Sequence, residues 1–299
     1  MNPDIKIVEV GARDGLQNEK TPLSVDDKLT LIQGLADANL KFIEAGSCVS
    51  PKWVPQMAGS TEIFGKLPTD TDVSFSLLTP NLRGFEDALA VGCKEVAVFT
   101  GASETFTQKN INCSIDESID RFADILALAK EYDVKVRGYV SCVVDCPYEG
   151  PTDPKIVAKV ARRLYDMGCY EISLGETIGT ATPNRIKAML QACMDELDVS
   201  VIAGHYHNTY GMAIANIYES LNMGVRIFDA SVGGLGGCPY AKGASGNVAT
   251  EDVHYLMTGL GLSTGIDIDK LAKVSADICQ KLNRDNGSLA NKAYLANCG

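Results

Sequence analysis

The sequence predicts an α/β protein, a (β/α)8 TIM barrel with extra C-terminal helices. Short apolar runs alternate with longer amphipathic segments, which is typical of parallel strands joined by helices. Eight such pairs occupy about 270 residues, close to the roughly 250 residues usual for this barrel. A doubly wound open sheet is the alternative, but Gly234-Leu235-Gly236-Gly237-Cys238-Pro239 does not complete a G-x-G-x-x-G nucleotide motif and follows the last predicted strand.

The predicted strands are short and rich in β-branched residues. They are expected at residues 5–10, 42–45, 73–78, 95–99, 135–140, 171–174, 199–204 and 226–230.

The predicted helices carry apolar residues at helical spacing, and several of them reach glycine just before the next strand. They are expected at residues 24–38, 82–91, 115–132, 154–167, 182–196 and 212–223, with further helices at 250–260 and 268–282. The last dozen residues are expected to be loosely held. We interpret residues 1–299 as one catalytic barrel domain with a C-terminal helical extension from about residue 250.

Composition narrows the possible partners and the compartment. The net charge of -11 argues against nucleic acid or an anionic membrane surface, and no apolar run approaches the roughly 20 residues that span a bilayer. The N-terminus begins directly as a strand without targeting features, so a cytoplasmic protein is expected. Ten scattered cysteines then indicate thiols instead of disulfides, including the C-x3-C pair Cys142 and Cys146.

Two of the three histidines, His205 and His207, stand at the end of the seventh predicted strand. Residues i and i+2 of a strand face the same side, so both imidazoles are expected close together. Asp14 after strand one and Asn247 after strand eight complete a mixed nitrogen and oxygen ligand set for an octahedral divalent cation. Surface histidines without a metal, and an ordinary Arg13-Asp14 loop ion pair, remain the alternatives.

Other strand ends carry further candidates for chemistry, because catalytic groups of such barrels lie at the carboxyl ends of the strands. These candidates are Arg13, Glu44, Ser47, Ser173, Glu176, Thr177 and Cys238.

The sequence resembles the 3-hydroxy-3-methylglutaryl-CoA lyase family, which is metal-dependent, over nearly its whole length. The resemblance rests on four stretches of uncommon residues. They are Val10-Gly11-Ala12-Arg13-Asp14-Gly15-Leu16-Gln17-Asn18-Glu19, Ser50-Pro51-Lys52-Trp53-Val54-Pro55-Gln56-Met57, Arg137-Gly138-Tyr139-Val140-Ser141-Cys142 and Gly234-Leu235-Gly236-Gly237-Cys238-Pro239-Tyr240-Ala241. The last stretch, with Gly243-Ala244-Ser245-Gly246-Asn247, resembles the family's active-site loop and its catalytic cysteine.

The resemblance implies cleavage of 3-hydroxy-3-methylglutaryl-CoA to acetyl-CoA and acetoacetate with Mg²⁺ or Mn²⁺. The ligands implied are Asp14, His205, His207 and Asn247, and His205 is also counted among the catalytic groups. Arg13 is expected to stabilise an enolate, Cys238 to protonate it and Glu44 to orient Arg13.

The remaining roles implied are less direct. Glu176 is expected to act in proton transfer or to order a ligand histidine, and Ser47, Ser173 and Thr177 to bind the substrate carboxylate. The acyl-CoA phosphates are expected to contact Lys20, Lys52, Lys109 or Lys242. A homodimer is expected, and Cys298 is a candidate for an intersubunit disulfide.

Two residues depart from the family pattern. Glu176 stands where the family usually has aspartate, and Asn208 where aspartate is common. The other functions considered are a lyase for a related hydroxyacyl-CoA, a Claisen-type synthase such as isopropylmalate or citramalate synthase, and a non-catalytic metal-binding scaffold. A chain ending at Gly299 disfavours the synthases, which usually carry a long C-terminal regulatory domain.

Overall fold

The computed structural model describes residues 3–237 and 246–297. Its centre is a closed barrel of eight parallel strands. The barrel strands are β1 (Lys6–Glu9), β2 (Phe42–Ser47), β3 (Ser74–Leu78), β4 (Glu95–Gly101), β5 (Lys135–Ser141), β8 (Glu171–Glu176), β9 (Ile202–Tyr206) and β10 (Ile227–Ala230). Around the barrel they follow the order β1-β10-β9-β8-β5-β4-β3-β2. A short antiparallel pair, β6 (Asp145–Cys146) and β7 (Gly150–Pro151), lies after β5. The predicted TIM barrel is confirmed.

The helices cover the outside of the barrel. They are α1 (Val25–Asp37), α2 (Ser60–Gly65), α3 (Leu82–Ala90), α4 (Glu104–Ile111), α5 (Ile115–Asp120), α6 (Phe122–Glu131), α7 (Pro154–Asp166), α8 (Pro183–Met194), α9 (Ala213–Asn222), α10 (Thr250–Gly259), α11 (Ile268–Leu282) and α12 (Leu289–Asn297). In the described residues, no helix has the length and apolarity needed to cross a membrane.

Helix α7 illustrates how the sequence specifies these elements. Asp153 caps it by accepting a hydrogen bond from the backbone N–H of Lys155, and Pro154 occupies the first helical position. Val157, Val160 and Leu164 form its buried stripe at helical spacing.

The C-terminal part of the chain adds further helices to the barrel. Because α10 follows the last barrel strand, it completes the eighth strand-helix unit, and α11 and α12 are additional. Helix α11 packs on α1, where a Cβ at Gly34 would lie 2.7 Å from a methyl carbon of Val274. Only glycine therefore permits this close approach.

The prediction of a loosely held C-terminus is wrong, because α12 occupies most of it. The Ser288 hydroxyl accepts a hydrogen bond from the backbone N–H of Asn291 and donates one to Asp252 on α10. Asp252 also accepts from the backbone N–H of Ala290. The helix is therefore held by a tertiary contact that local sequence does not reveal.

The remaining differences are local. Strand β9 begins at Ile202, because residues Val199–Val201 form a 3₁₀ turn capped by the side chain of Asp198. The long predicted helix at 115–132 is interrupted at Arg121, which keeps helical backbone angles, so α5 and α6 follow one another directly.

Candidate metal and catalytic centre

The carboxyl ends of the barrel strands surround a cavity of about 170 Å³. One side of its wall is polar and carries Arg13, Asp14, Thr177, His205 and His207. Leu78, Phe99, Phe106, Tyr139 and Val140 also line the cavity and supply apolar surface. Polar groups that converge in a cavity with apolar surface are typical of a ligand site.

Asp14, His205 and His207 form a cluster in which one ligand atom from each lies within 4.8 Å of the others. The two Nε2 atoms lie 3.4 Å apart, and Nε2 of His205 is 4.0 Å from Oδ2 of Asp14. These residues come from β9, the residue after it and the turn after β1. The sequence prediction that they meet is therefore confirmed.

The surroundings of the cluster favour a charged Asp14 and a neutral His207, whereas they shift the pKa of His205 in the opposite direction. Burial raises the pKa of Asp14, but Arg13 and the two histidines outweigh it and bring the pKa to about 2. Burial and the neighbouring His205 lower the pKa of His207 to about 4. Burial also lowers the pKa of His205, but Asp229 and Asp14 reverse this and leave that pKa above its ordinary value.

A divalent cation fits this donor set. One carboxylate oxygen and two imidazole nitrogens converge from rigid strand ends, and such mixed ligands suit several first-row divalent ions as well as Mg²⁺.

Asn247 lies beside the cluster, where its amide nitrogen donates to Oδ2 of Asp14 at 2.8 Å. A half-turn of the amide would exchange the nitrogen for Oδ1, which is the atom able to bind a cation. Its backbone pairs with His207 in an isolated bridge. Nearby, Gly246 has φ +79, and a Cβ there would lie 2.4 Å from the carbonyl carbon of Gly236.

Arg13 is buried and held from two sides. Its Nε donates to Oε2 of Glu44 at 2.5 Å, and its Nη1 donates to Oδ1 of Asp14 at 2.6 Å. The guanidinium carbon also lies 5.4 Å from the centre of the Tyr139 ring. Glu44 thus contacts Arg13 directly, and the nearby carboxylates keep the pKa of Arg13 above its usual range despite burial.

Two buried carboxylates hold the backbone that leads into the glycine-rich loop, a name used here for the sequence from Gly233 to Gly246. Oε1 of Glu9 accepts from the backbone N–H groups of Gly11 and Val232, at 2.8 and 2.9 Å. Glu251 accepts from the N–H of Gly233. Burial raises the pKa of both Glu9 and Glu251 to about 7. Neither residue is among the candidates predicted from the sequence.

Three of the candidates from the sequence have other partners in the structure. Ser173 is fully buried and donates to Asp229, and Ser47 donates to the carbonyl of Leu78, so neither hydroxyl faces the cavity. Glu176 accepts from the backbone N–H of Thr180, and burial raises its pKa to about 7. We therefore do not assign substrate binding to Ser47 or Ser173.

Asp229 and Arg137 were missed by sequence reasoning. Asp229 Oδ2 lies 3.1 Å from Nδ1 of His205, so Asp229 makes the kind of contact with a cluster histidine that was expected of Glu176. Burial raises the pKa of Asp229, but Arg137 outweighs it and keeps the pKa well below its usual range. The sequence did contain a signal for them, because Arg137 and Asp229 are charged residues within the short, otherwise largely apolar strands β5 and β10.

Of the other candidates, one lies on the cavity wall and three lie outside the described residues. Thr177 lies on the cavity wall and accepts from the backbone N–H of Cys142 at 2.8 Å. Cys238, Lys242 and Cys298 lie outside the described residues.

Fold and site together define a (β/α)8 barrel whose strand ends hold a candidate divalent-metal centre beside a buried arginine. A sequence model of the HMGL-like family matches residues 4–278. The chain belongs to this family.

Curated relatives cover almost the whole chain. Hydroxymethylglutaryl-CoA lyase of Pseudomonas mevalonii is 56% identical over 98% of this chain and 97% of its own length. A Pseudomonas aeruginosa protein named 3-hydroxy-3-isohexenylglutaryl-CoA/hydroxy-methylglutaryl-CoA lyase is 55% identical with the same coverage.

Solved structures of lyases are similar to this chain as well. The crystal structure of hydroxymethylglutaryl-CoA lyase from P. aeruginosa has a TM-score of 0.96 and 54% identity, with 99% of both chains covered. An HMG-CoA lyase from Acinetobacter baumannii in complex with coenzyme A and 3-methylmalate has a TM-score of 0.92 and 33% identity, covering 97% of this chain and 94% of that one.

Proposed function

We propose that this protein is a divalent-metal-dependent carbon-carbon lyase that cleaves 3-hydroxy-3-methylglutaryl-CoA to acetyl-CoA and acetoacetate. The observation that carries the proposal is the convergence of Asp14, His205 and His207 beside the buried guanidinium of Arg13. A relative that bears the name hydroxymethylglutaryl-CoA lyase, 56% identical over almost the whole chain, supports it.

The reaction divides into three demands on the site. The C3 hydroxyl gives up its proton while the C2–C3 bond breaks, and C3 becomes the ketone carbon of acetoacetate. The bonding electrons pass to C2 and the thioester oxygen as an enolate. C2 then takes up a proton to give acetyl-CoA, so no water or redox partner is consumed.

Asp14, His205, His207 and Asn247 are the residues that would hold Mg²⁺ or Mn²⁺. A divalent cation bound there supplies Lewis acidity, which lowers the cost of removing a proton from an alcohol. Glu44 holds Arg13 at the cavity wall, so this side chain needs little reorganisation to stabilise an enolate oxygen.

The proton that C2 requires is assigned to Cys238. A thiol can donate a proton to a carbanion, and in the sequence Gly236 and Gly237, which have greater backbone freedom than other residues, directly precede Cys238. Glu176, whose pKa lies near 7, is a second group able to exchange protons near neutral pH. Thr177 remains our candidate for the substrate carboxylate.

Coenzyme A is assigned to a second cleft of about 760 Å³, which shares Gln17 and Asn18 with the cavity. Lys20 and the exposed ring of Trp53 lie on its wall, and Lys52 is adjacent in sequence. Lys109 lies instead with its Nζ 3.8 Å from the centre of the Tyr148 ring. We therefore favour Lys20 and Lys52 for the phosphates, and Lys242 remains a candidate.

A substrate with a longer C3 side chain is the second candidate. The apolar wall of Leu78, Phe99, Phe106 and Val140 can receive an alkyl group, and the P. aeruginosa relative is named for a 3-isohexenyl substrate as well. One additional methylene contributes only about 1–3 kcal/mol to discrimination in such a pocket.

We further propose that the protein works in the cytoplasm as a homodimer. Light scattering coupled to gel filtration checks the dimer, which is supported so far by the family resemblance.

The test is acetoacetate release from 3-hydroxy-3-methylglutaryl-CoA by purified protein under reducing conditions, with Mg²⁺ or Mn²⁺ and then with excess chelator. Release that requires the metal is the expected result. Folded, metal-loaded protein that releases no acetoacetate would refute this substrate, and the 3-isohexenyl analogue would then be tried. Failure with both, despite metal binding, would favour the scaffold hypothesis.

A further inference from the structure

The barrel interior beneath the metal cluster is charged. Arg137 on β5 and Asp229 on β10 are 3% and 2% exposed, and Glu171 on β8 is equally buried. Interiors of this fold are usually filled by branched apolar side chains. Because buried ion pairs often contribute little net stability, this group calls for a functional explanation.

Asp229 is the point at which these contacts meet. Its Oδ2 accepts from the hydroxyl of Ser173 at 2.7 Å and from Nη1 of Arg137 at 3.1 Å, and it lies 3.1 Å from Nδ1 of His205. Its Oδ1 accepts from Nη2 of Arg137 at 2.7 Å. Three donors therefore converge on one carboxylate oxygen.

Arg137 is itself fixed. Its Nε donates to Glu171 at 2.7 Å, and its Nη1 also donates to the hydroxyl of Tyr139 at 2.8 Å. The second oxygen of Glu171 accepts from Lys6 at 2.8 Å. Asp229 thus sits in a rigid framework that reaches from β1 to β10.

His205 and Asp229 are also register partners on the neighbouring strands β9 and β10. The imidazole has one edge toward Asp229 and the other toward Asp14 and His207. A neutral imidazole carries its proton on one nitrogen only, and an acceptor at Nδ1 selects the form with Nδ1–H and a free lone pair on Nε2.

We propose that Asp229 is a positioning residue for His205: it accepts the Nδ1 proton and so directs the Nε2 lone pair at Asp14 and His207. Arg137 and Ser173 hold Asp229 in place. The inference rests on the proposed metal site, since an Nε2 lone pair matters there only if a cation is bound. Such partners of a ligand histidine commonly affect metal affinity 10- to 100-fold.

The wild-type protein provides the first test. The chain has three histidines, so a long-range ¹H–¹⁵N spectrum of the ring nitrogens is simple, and His254→Gln assigns one set of signals. With Mg²⁺ bound, and without metal at a pH where the ring is neutral, His205 is expected to carry its proton on Nδ1. A proton on Nε2 in the metal-free protein would overturn the inference without any variant at Asp229.

Substitutions at Asp229 supply the second test. Asp229→Ala removes the acceptor, and its Mn²⁺ affinity, measured by competition with a chelator, is expected to fall about 10- to 100-fold. Asp229→Asn keeps an amide oxygen that can accept from Nδ1 of His205, but its nitrogen then faces Nη2 of Arg137, so it is expected to keep the Nδ1–H signal and to lose less affinity than Asp229→Ala. Wild-type affinity in Asp229→Ala, or equal weakening in both variants, would contradict positioning by an acceptor.

Tyr206→Phe is the matched control for destabilisation. It removes a buried hydrogen bond to Ser220 from the same strand and leaves the His205 partners intact, so the His205 signals and Mn²⁺ affinity should stay unchanged. Mn²⁺ binding and acetoacetate release by the wild-type protein test the proposed function separately. The wild-type tautomer tests this inference.

Discussion

Glu9→Gln is expected to make the protein more stable at pH 8 and to reduce the dependence of its stability on pH. Glu9 is fully buried, and burial raises its pKa from 4.5 to about 7 although Thr250 and two backbone N–H groups donate to it. The folded protein therefore binds this proton more tightly than the unfolded chain. The resulting stabilisation is complete below about pH 4.5 and is lost as pH rises through about 7.

The magnitude follows from the same shift, because a pKa difference between 4.5 and about 7 corresponds to about 3 kcal/mol. Glutamine has nearly the same shape. Its oxygen can accept from Gly11 and Val232, while its nitrogen donates to Thr250, whose hydroxyl accepts as well as donates. The variant should therefore equal the wild type near pH 4.5 and exceed its stability by up to about 3 kcal/mol at pH 8.

Urea unfolding followed by circular dichroism at pH 4.5 and pH 8, under reducing conditions, measures this difference. Some pH dependence will remain in Glu9→Gln, since the pKa values of Glu176 and Glu251 are also near 7. Thr250→Val is the control, because it keeps the titrating carboxylate and removes a donor that lowers the pKa of Glu9, so its stability should depend on pH at least as strongly as that of the wild type. A difference between Glu9→Gln and wild type that is the same at both pH values would refute the reasoning.

Three further outcomes are expected. Arg13→Gln should lose at least about 10²- to 10³-fold in the rate of acetoacetate release. Its Mn²⁺ affinity should change only several-fold, because Arg13 contacts Asp14 but is not itself a ligand. Near-normal release would exclude a role of Arg13 at the enolate. His207→Ala should lose Mn²⁺ affinity by more than about 100-fold in chelator competition, whereas His254→Ala should not, and equal losses would place the metal elsewhere. Ser288→Ala should lower the free energy of unfolding by about 1 kcal/mol without changing turnover, since the hydroxyl caps α12 away from the cavity, and an unchanged urea midpoint would contradict that contact.

The barrel was predictable because its signals are local. Each barrel strand is an apolar run bounded by turn residues, and each long helix has a buried stripe at helical spacing. The 3₁₀ turn before β9 was mistaken for strand because Val199 and Val201 are β-branched, while the cap from Asp198 decided the backbone. Helix α12 was missed because its cap depends on Asp252, which is distant in sequence.

The site was predictable to the extent that its residues follow strand ends. Asp14, His205 and His207 meet because parallel strands bring their carboxyl ends to one edge. The direction in which a side chain points was harder to predict from the sequence. Ser173 also lies near a strand end, but it faces the buried charges below the cavity, and its depth is set by strand stagger that sequence spacing does not give.

The positions of the carboxylates indicate how this barrel keeps its site rigid. Glu44 contacts Arg13, and Asp229 contacts His205. Glu9 accepts from the backbone N–H of Val232, just before the glycine-rich loop. All three carboxylates are on barrel strands, so each functional group is held by an element that cannot move without breaking the sheet. A group prepared in this way needs little reorganisation during reaction, which is the condition under which fixed charges are most effective. The cost of burying these carboxylates, visible in the raised pKa of Glu9, is therefore best understood as stability given up for a prearranged site.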